Sequence, residues 1–212
     1  MVLTMMSHFP FRFSSGYHPW YSHTISLEHP APPSEDHYRS LFLSSDSSQT
    51  TRDEVESLLP HLPQPRSLKD ILSEVRSNLE LFPDAMLGEV GLDRAFRVPA
   101  SKRAIKEHQT SERDLLASEP QPTTHNEEAG CNSHTLALEG KSLTSLTIPI
   151  SHQHHILMEQ IGVAVQLGRN VSLHSVRAPD ATVTLFKEAC RVYNGIVGTS
   201  FRDISQSRGI LL

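Results

Sequence analysis

A single carboxylate interrupts an apolar run in the middle of the chain. The run covers residues 85–93, its carboxylate is Glu89, and Gly88 and Gly91 lie close to it. Short apolar runs of this kind predict a buried strand. A carboxylate that loses its water needs a metal ion, a basic side chain or a shared proton as its partner. Two interpretations of Glu89 follow: a metal ligand or catalytic group, and an exposed strand end without a chemical role.

A histidine closes a second β-like run, at residues 170–175. This residue is His174, and helical patterns precede and follow the run. In a TIM-type (β/α) barrel, the functional residues collect at the C-terminal ends of the parallel strands. We therefore expect Glu89 and His174 to lie at one edge of a parallel sheet, as candidate ligands of the same metal site.

A third candidate, His18, lies in a turn near the start of the chain. Pro19 follows it and biases it toward an extended conformation, as at the end of a strand. His18 would then lie at the rim of the site. The alternative, which the residues alone favour, is a turn packed by Tyr17 and Trp20.

Three amphipathic patterns predict the helices that position these strands. The first begins at Ser67, which can cap it together with Asp70, and ends before Pro83. The second covers residues 152–169, and the third begins at Pro179, which suits a first helical turn. The apolar residues of the first helix share one face: Leu68, Ile71, Leu72, Val75 and Leu79.

Two groups of charged or titratable residues have a simpler explanation than ligand binding. His152 and His154 look like a metal-ligand pair, but residues two apart do not share a helix face. We therefore expect them to be exposed or to cap the helix. The basic patch after the Glu89 run could contact a phosphate, but it is more typical of a solvated surface. It consists of Arg94, Arg97, Lys102, Arg103 and Lys106.

Composition limits the classes of function. The chain has 212 residues, a net charge of −5 and an apolar content of 37%. This length allows one domain with a core, and the negative charge argues against broad nucleic-acid binding through a basic surface. The two cysteines, Cys131 and Cys190, form no motif, which suggests reduced thiols in a cytoplasmic or nuclear protein. No apolar stretch is long enough to span a bilayer.

The pattern along the chain predicts one incomplete domain over residues 1–212, with polar insertions. The core segments are expected at residues 16–27, 67–110 and 150–194. Low-complexity insertions are expected at about 28–66, where a short helix near 51–59 is allowed, and at 111–149, which we expect to be mostly disordered. The tail, 195–212, does not continue the alternation of strands and helices.

Three of these motifs resemble the TatD-related metal-dependent hydrolases. Residues 88–93, Gly-Glu-Val-Gly-Leu-Asp, resemble the family's Gly-Glu-Ile-Gly-Leu-Asp signature. Residues 16–20 are similar to its Gly-x-His-Pro segment, and residues 160–175 to a helix followed by an apolar strand that ends in His-Ser. Residues 22–23 and 167–174 look most like the fungal branch, which is named for an interaction with a subunit of the anaphase-promoting complex.

The resemblance implies a TIM-type barrel with two divalent metal ions that hydrolyses phosphodiester bonds, often as a deoxyribonuclease. Glu89 would be the catalytic carboxylate that the two metals share, and His174 would bind one of them. Carboxylates and neutral imidazoles are suitable ligands for such a site. The motifs do not distinguish Mg, Mn and Zn.

The sequence also departs from the family pattern. The family begins with a strand that carries Asp-x-His-x-His, whereas His8 is the sole histidine before Gly16. A later strand with a histidine and a last strand with an aspartate are missing as well. We therefore expect an incomplete copy: a partial (β/α) barrel with weak or no activity.

Three functions remain open at this point. The first is a phosphodiesterase that acts on DNA or a related substrate. The second is a non-catalytic interaction protein that binds a cell-cycle partner of the anaphase-promoting complex, through the barrel surface or the polar insertions. The third is an amidase-type hydrolase on the same scaffold, because a fold does not fix a substrate.

Overall fold

A computed structural model of the chain describes residues 13–100 and 143–193. The strands in these ranges are β1 (Ser14–Ser15), β2 (Ile25–Ser26), β3 (Arg66–Ser67), β4 (Met86–Asp93) and β5 (Val171–Val176). The α-helices are α1 (Ser34–Phe42), α2 (Gln49–Leu58), α3 (Leu68–Leu81), α4 (Ile150–Leu167) and α5 (Pro179–Tyr193). Short 3-10 helices cover Pro19–Thr24 and Leu59–His61. No helix within the described ranges is long and apolar enough to cross a membrane.

The strands form two parallel sheets. The larger sheet has the order β1-β4-β5, and the smaller one pairs β2 with β3. In the larger sheet Ser15 lies opposite Leu87, and Gly91 lies opposite His174. The α/β class with parallel strands is thus confirmed. The strands of residues 13–100 and 143–193 do not close into a barrel, so the TIM-type barrel stays a prediction.

Three helices cover one face of the larger sheet. Apolar side chains of β4 and β5 alternate with polar ones, and the apolar set packs against α3, α4 and α5. Helix α3 begins as predicted, since the Ser67 hydroxyl oxygen accepts a hydrogen bond from the Asp70 backbone N–H. This side of the sheet forms the main core, which includes Ile71, Val75, Leu79, Leu87, Val90, Leu92, Leu157, Ile161, Leu173 and Leu185.

The region 28–66 differs from the low-complexity insertion that the sequence predicted. It contains α1 and α2, and the expected short helix corresponds to α2. The physical reason is that its few apolar residues meet in a second core, although prolines and serines separate them along the chain. The second core contains Tyr38, Val55, Leu58, Leu62, Val98 and Leu146.

Of the second expected insertion, residues 111–142 lie outside the described residues, as does the tail 195–212.

Strands β4 and β5 approach each other closely on both sides of Glu89. A Cβ atom on Gly91 would lie 1.9 Å from the carbonyl oxygen of His174. Gly88 has a φ of +156°, and a Cβ atom there would lie 2.7 Å from Cβ of Ser172. The two glycines therefore allow β4 to lie against β5 in the register that places Glu89 near His174.

We expect Gly91→Ala to destabilise the protein strongly, because the new methyl group would overlap the backbone of β5. Overpacking of this kind costs about 3 kcal/mol. Gly168→Ala is the matched control: Gly168 has a φ of +64° at the end of α4 but open space around its Cα, so the left-handed conformation alone costs about 1 kcal/mol. Urea unfolding of both variants measures the difference. Equal losses would contradict the close approach of the strands.

Candidate metal centre

Three side chains converge alongside β4 and β5: His18, Glu89 and His174. Each offers one ligand atom, and these atoms all lie within 4.8 Å of one another. His18 Nε2 is 3.9 Å from Glu89 Oε2, and His174 Nδ1 is 3.5 Å from Glu89 Oε1. The structure thus brings together the three candidate site residues that the sequence analysis named, His18, Glu89 and His174. His18, which the residues alone favoured as part of a packed turn, lies within the cluster and not at its rim.

Glu89 is more exposed than the apolar run around it predicted. Its side chain is 53% exposed, whereas Val90 on the opposite face of β4 is fully buried. The reason is that, within residues 13–100 and 143–193, α3, α4 and α5 pack on one face of the sheet, and the side chain of Glu89 lies on the other face. Part of its charge is therefore solvated, and the two imidazoles lie on the remaining side.

The carboxylate of Asp93 contacts the ring nitrogen of His174 that lies away from Glu89. Its Oδ2 atom lies 3.0 Å from His174 Nε2 and accepts a hydrogen bond of 2.7 Å from Trp20 Nε1. Its Oδ1 atom accepts hydrogen bonds from the backbone N–H groups of Ala95 and Phe96, at 2.7 and 2.9 Å. Burial acts to raise the pKa of Asp93, but the hydrogen bonds from Trp20, His174 and the two backbone groups outweigh it. The pKa stays below its ordinary value, so Asp93 is ionised at neutral pH.

Helix α4 fixes the positions of two loops of the site through buried amide side chains. Gln153 accepts a hydrogen bond from the backbone N–H of Asp93 at 2.8 Å and donates to the Asp93 carbonyl oxygen at 2.9 Å. Gln160 does the same for Tyr17, the neighbour of His18, at 2.7 and 3.3 Å. Our sequence analysis missed both glutamines and the role of Asp93. The signal that could have found the glutamines was two amides on the apolar face of a helix, because buried amides need partners.

The 3-10 helix that carries Trp20 is held by two histidines. His152 Nε2 lies 2.9 Å from the carbonyl oxygen of Ser22, and His37 Nε2 lies 2.8 Å from that of His23. The expected exposed or capping role of His152 is therefore wrong, because its ring packs against the 3-10 helix Pro19–Thr24. His154 points elsewhere and lies 3.4 Å from Glu188.

The cluster fits a divalent metal ion. Ligand atoms at about 2.1 Å from a tetrahedral ion lie about 3.4 Å apart, and the separations of 3.9 and 3.5 Å in the structure are close to this. Two imidazoles and one carboxylate are a common donor set for zinc, manganese and iron. Three protein ligands leave a coordination position for water, as in catalytic sites. The donor set does not identify the ion, and the role of Glu89 as a ligand shared by two metals stays a prediction.

Two curated fungal proteins are similar to the chain. The first is the Cut9-interacting protein scn1 of Schizosaccharomyces pombe, 24% identical over 170 residues, which are 77% of this chain and 40% of that protein. The second is the uncharacterized deoxyribonuclease YMR262W of Saccharomyces cerevisiae, 21% identical over 181 residues, which are 85% of this chain and 45% of that protein.

The chain resembles the fungal branch of the TatD-related proteins. This is the resemblance that the motifs at residues 16–20, 88–93 and 170–175 predicted, and the two relatives confirm it. The chain spans less than half the length of each relative, 40% and 45%. No protein-family profile and no solved structure matches it.

We expect the stability of the protein to fall on mild acidification. Burial lowers the pKa of both His37 and His152 below the ordinary 6.5, against the opposing effect of their carbonyl partners. Glu28 also acts to raise the pKa of His37, and the neighbouring imidazoles lower that of His152. The unfolded chain therefore binds more protons just below pH 6.5, so the free energy of unfolding decreases as the pH falls from about 6.5 toward the folded pKa values.

Urea unfolding at about pH 8 and about pH 5.5 measures this loss. The double variant His37→Gln, His152→Gln can still donate hydrogen bonds but cannot titrate, so its loss should be smaller. His61→Gln is the control, because His61 is exposed and should leave the loss unchanged. If the double variant lost as much stability as the wild type, other groups would carry the pH dependence.

Proposed function

We propose that this chain carries the metal site of a TatD-type hydrolase that cleaves phosphodiester bonds, with DNA as the substrate class. The convergence of His18, Glu89 and His174 within 4.8 Å is the observation that carries the proposal. The relative named a deoxyribonuclease supports the substrate class. The full fold in this proposal is a TIM-type barrel, of which β1, β4 and β5 would be neighbouring strands.

The two histidines and Glu89 would hold the metal, and Glu89 would be the carboxylate shared by a second ion. When bound, divalent metal would supply Lewis-acid activation of water and of the phosphate oxygens. The residues of the chain would orient the site: Glu89 and the two histidines would hold the ion, and Asp93 would keep the His174 ring in place. Three ligands are suited to one ion, whereas the two-metal reaction needs two, so we expect hydrolysis by this chain to be weak.

Two arginines favour an anionic substrate at this edge of the sheet. Arg94 is the first residue after β4 and Arg177 the first after β5, and both are exposed. The backbone N–H of Arg94 donates to the Val176 carbonyl oxygen at 3.0 Å, which places the two strand ends side by side. Guanidinium groups bind phosphate oxygens well. Such a local pair is compatible with the overall charge of −5.

A non-catalytic interaction protein is the second candidate function. It is supported by the relative that is named a Cut9-interacting protein. In this proposal the chain binds a cell-cycle protein of the Cut9 type, and the cluster at Glu89 has a structural role or none. The two functions differ in what the cluster does, so substitutions in the cluster separate them.

We expect calorimetry to show binding of Mn²⁺ or Zn²⁺ by the purified chain. Glu89→Gln and His174→Ala should each weaken binding by about 100-fold or more, because removal of a direct ligand costs more than the 10 to 100-fold typical of a supporting residue. Glu80→Gln is the matched control for charge, since Glu80 is exposed on α3 and pairs with Arg76 at 3.9 Å. A wild-type chain that binds neither ion would contradict the proposed function.

Affinity capture with purified Cut9 protein tests the second candidate. Binding that is unchanged in Glu89→Ala, by a chain that takes up no metal, would favour the interaction protein. Metal-dependent cleavage of a DNA substrate that Glu89→Ala abolishes would favour the hydrolase.

A further inference from the structure

The carboxylate of Asp93 has four neighbours that fill its acceptor positions. Trp20 and His174 lie against Oδ2, and the backbone N–H groups of Ala95 and Phe96 lie against Oδ1. Asp93 itself is buried, with 4% of its surface exposed. We propose that Asp93 is a positioning residue: it fixes the proton of His174 on Nε2 and so directs the lone pair of Nδ1 toward Glu89 and the metal. This inference rests on the proposed function.

The hydrogen-bond inventory assigns the tautomer of His174. An indole N–H and a backbone N–H can only donate, so three of the four neighbours of Asp93 are obligatory donors. They stabilise the ionised carboxylate, which can only accept. The fourth neighbour, Nε2 of His174, must therefore donate as well. In the other neutral tautomer, the Nε2 lone pair would face the carboxylate oxygen at 3.0 Å, which is repulsive.

The distances on the two sides of the ring agree with this assignment. The Nε2 side has hydrogen-bond length, 3.0 Å, whereas Nδ1 lies 3.5 Å from Glu89 Oε1, beyond an ordinary hydrogen bond. An Nδ1 lone pair that faces a carboxylate without a cation between them would be unfavourable. A metal ion bound by both His174 Nδ1 and Glu89 Oε1 would remove this repulsion. The distance between these two atoms is close to that between two ligands of one ion.

Hydrogen bonds and ring packing around Asp93 favour one orientation of the His174 ring. Gln153, which is buried at 2% exposure, fixes the Asp93 backbone through both its N–H and its carbonyl oxygen. The indole of Trp20 stacks on Phe96 with ring centroids 5.6 Å apart and planes 16° from parallel. Trp20 and Phe96 each also donate to Asp93, so the carboxylate, the indole and the loop after β4 support one another. Carboxylate-histidine pairs of this kind orient metal ligands in many sites.

The experiment has one contrary outcome, in which His174 is an imidazolium held between Asp93 and Glu89 and is protonated on both nitrogens. Asp93 would then balance charge and would not select a tautomer. Long-range ¹H–¹⁵N correlation NMR distinguishes these states, because protonated and unprotonated ring nitrogens have different ¹⁵N shifts.

The test uses the full chain at one fixed pH before and after addition of Zn²⁺. The metal-free wild type should show His174 protonated on Nε2 alone, and Zn²⁺ should shift the Nδ1 resonance. Asp93→Asn replaces one acceptor oxygen by an amide NH2 group, so the side chain no longer imposes the Nε2–H tautomer on His174, and affinity for Zn²⁺ should fall by about 10 to 100-fold. His152 is the internal control in the spectra, because it bonds to a backbone carbonyl.

Asp70→Asn is the matched variant, since its carboxylate accepts from the Ser67 hydroxyl at 2.6 Å, away from the cluster, and it should bind Zn²⁺ like the wild type. Circular dichroism checks that both variants fold. The proposal is overturned if wild-type His174 is an imidazolium or carries its proton on Nδ1, a result that needs no variant. It is also overturned if Asp93→Asn folds and binds Zn²⁺ as well as the wild type. In contrast, a wild type with the expected tautomer that binds no metal would defeat the proposed function and leave the tautomer assignment intact.

Discussion

The close approach of β4 to β5 is the constraint on which the candidate site depends. Gly91 lies opposite His174 with no space for a side chain. This contact fixes the register in which Glu89 faces Nδ1 of His174 while Asp93 faces Nε2 of the same ring. One residue of slip would turn each of these side chains to the other face of the sheet. The pairing of β4 with β5 thus determines which side chains meet in the cluster.

Helix α4 positions the other segments of the site, which carry His18 and Asp93. Its apolar face packs on the sheet, and two buried amides on that helix, Gln153 and Gln160, bind the backbone next to Asp93 and next to His18. A buried amide is costly unless its hydrogen bonds are made, so each glutamine favours one position of its loop. The backbone next to His18, which follows β1, and the backbone of Asp93, which ends β4, are therefore both held by α4.

Local patterns were sufficient to predict much of this fold. The Ser67 cap and the apolar spacing behind it predicted α3, and the runs around Glu89 and His174 predicted β4 and β5. The residues that were missed depend on contacts between distant segments. Nothing local marks Gln153 as the partner of Asp93, 60 residues away. Helix α1 also escaped prediction, and α2 was expected only as a short helix within a low-complexity insertion, because their few apolar residues find a core only with Val98 and Leu146. For the same reason, the exposure of Glu89 could not be read from its apolar neighbours.

The most direct test of the account is anomalous diffraction from crystals of the full chain grown with Mn²⁺ or Zn²⁺. The account predicts a peak bounded by Glu89, His174 and His18, at about 2.0 to 2.2 Å from a carboxylate oxygen and two imidazole nitrogens. The nitrogen of His174 in contact with the metal should be Nδ1, with Nε2 still against Asp93. A crystal that contains the metal elsewhere but shows no peak among these three residues would contradict the account.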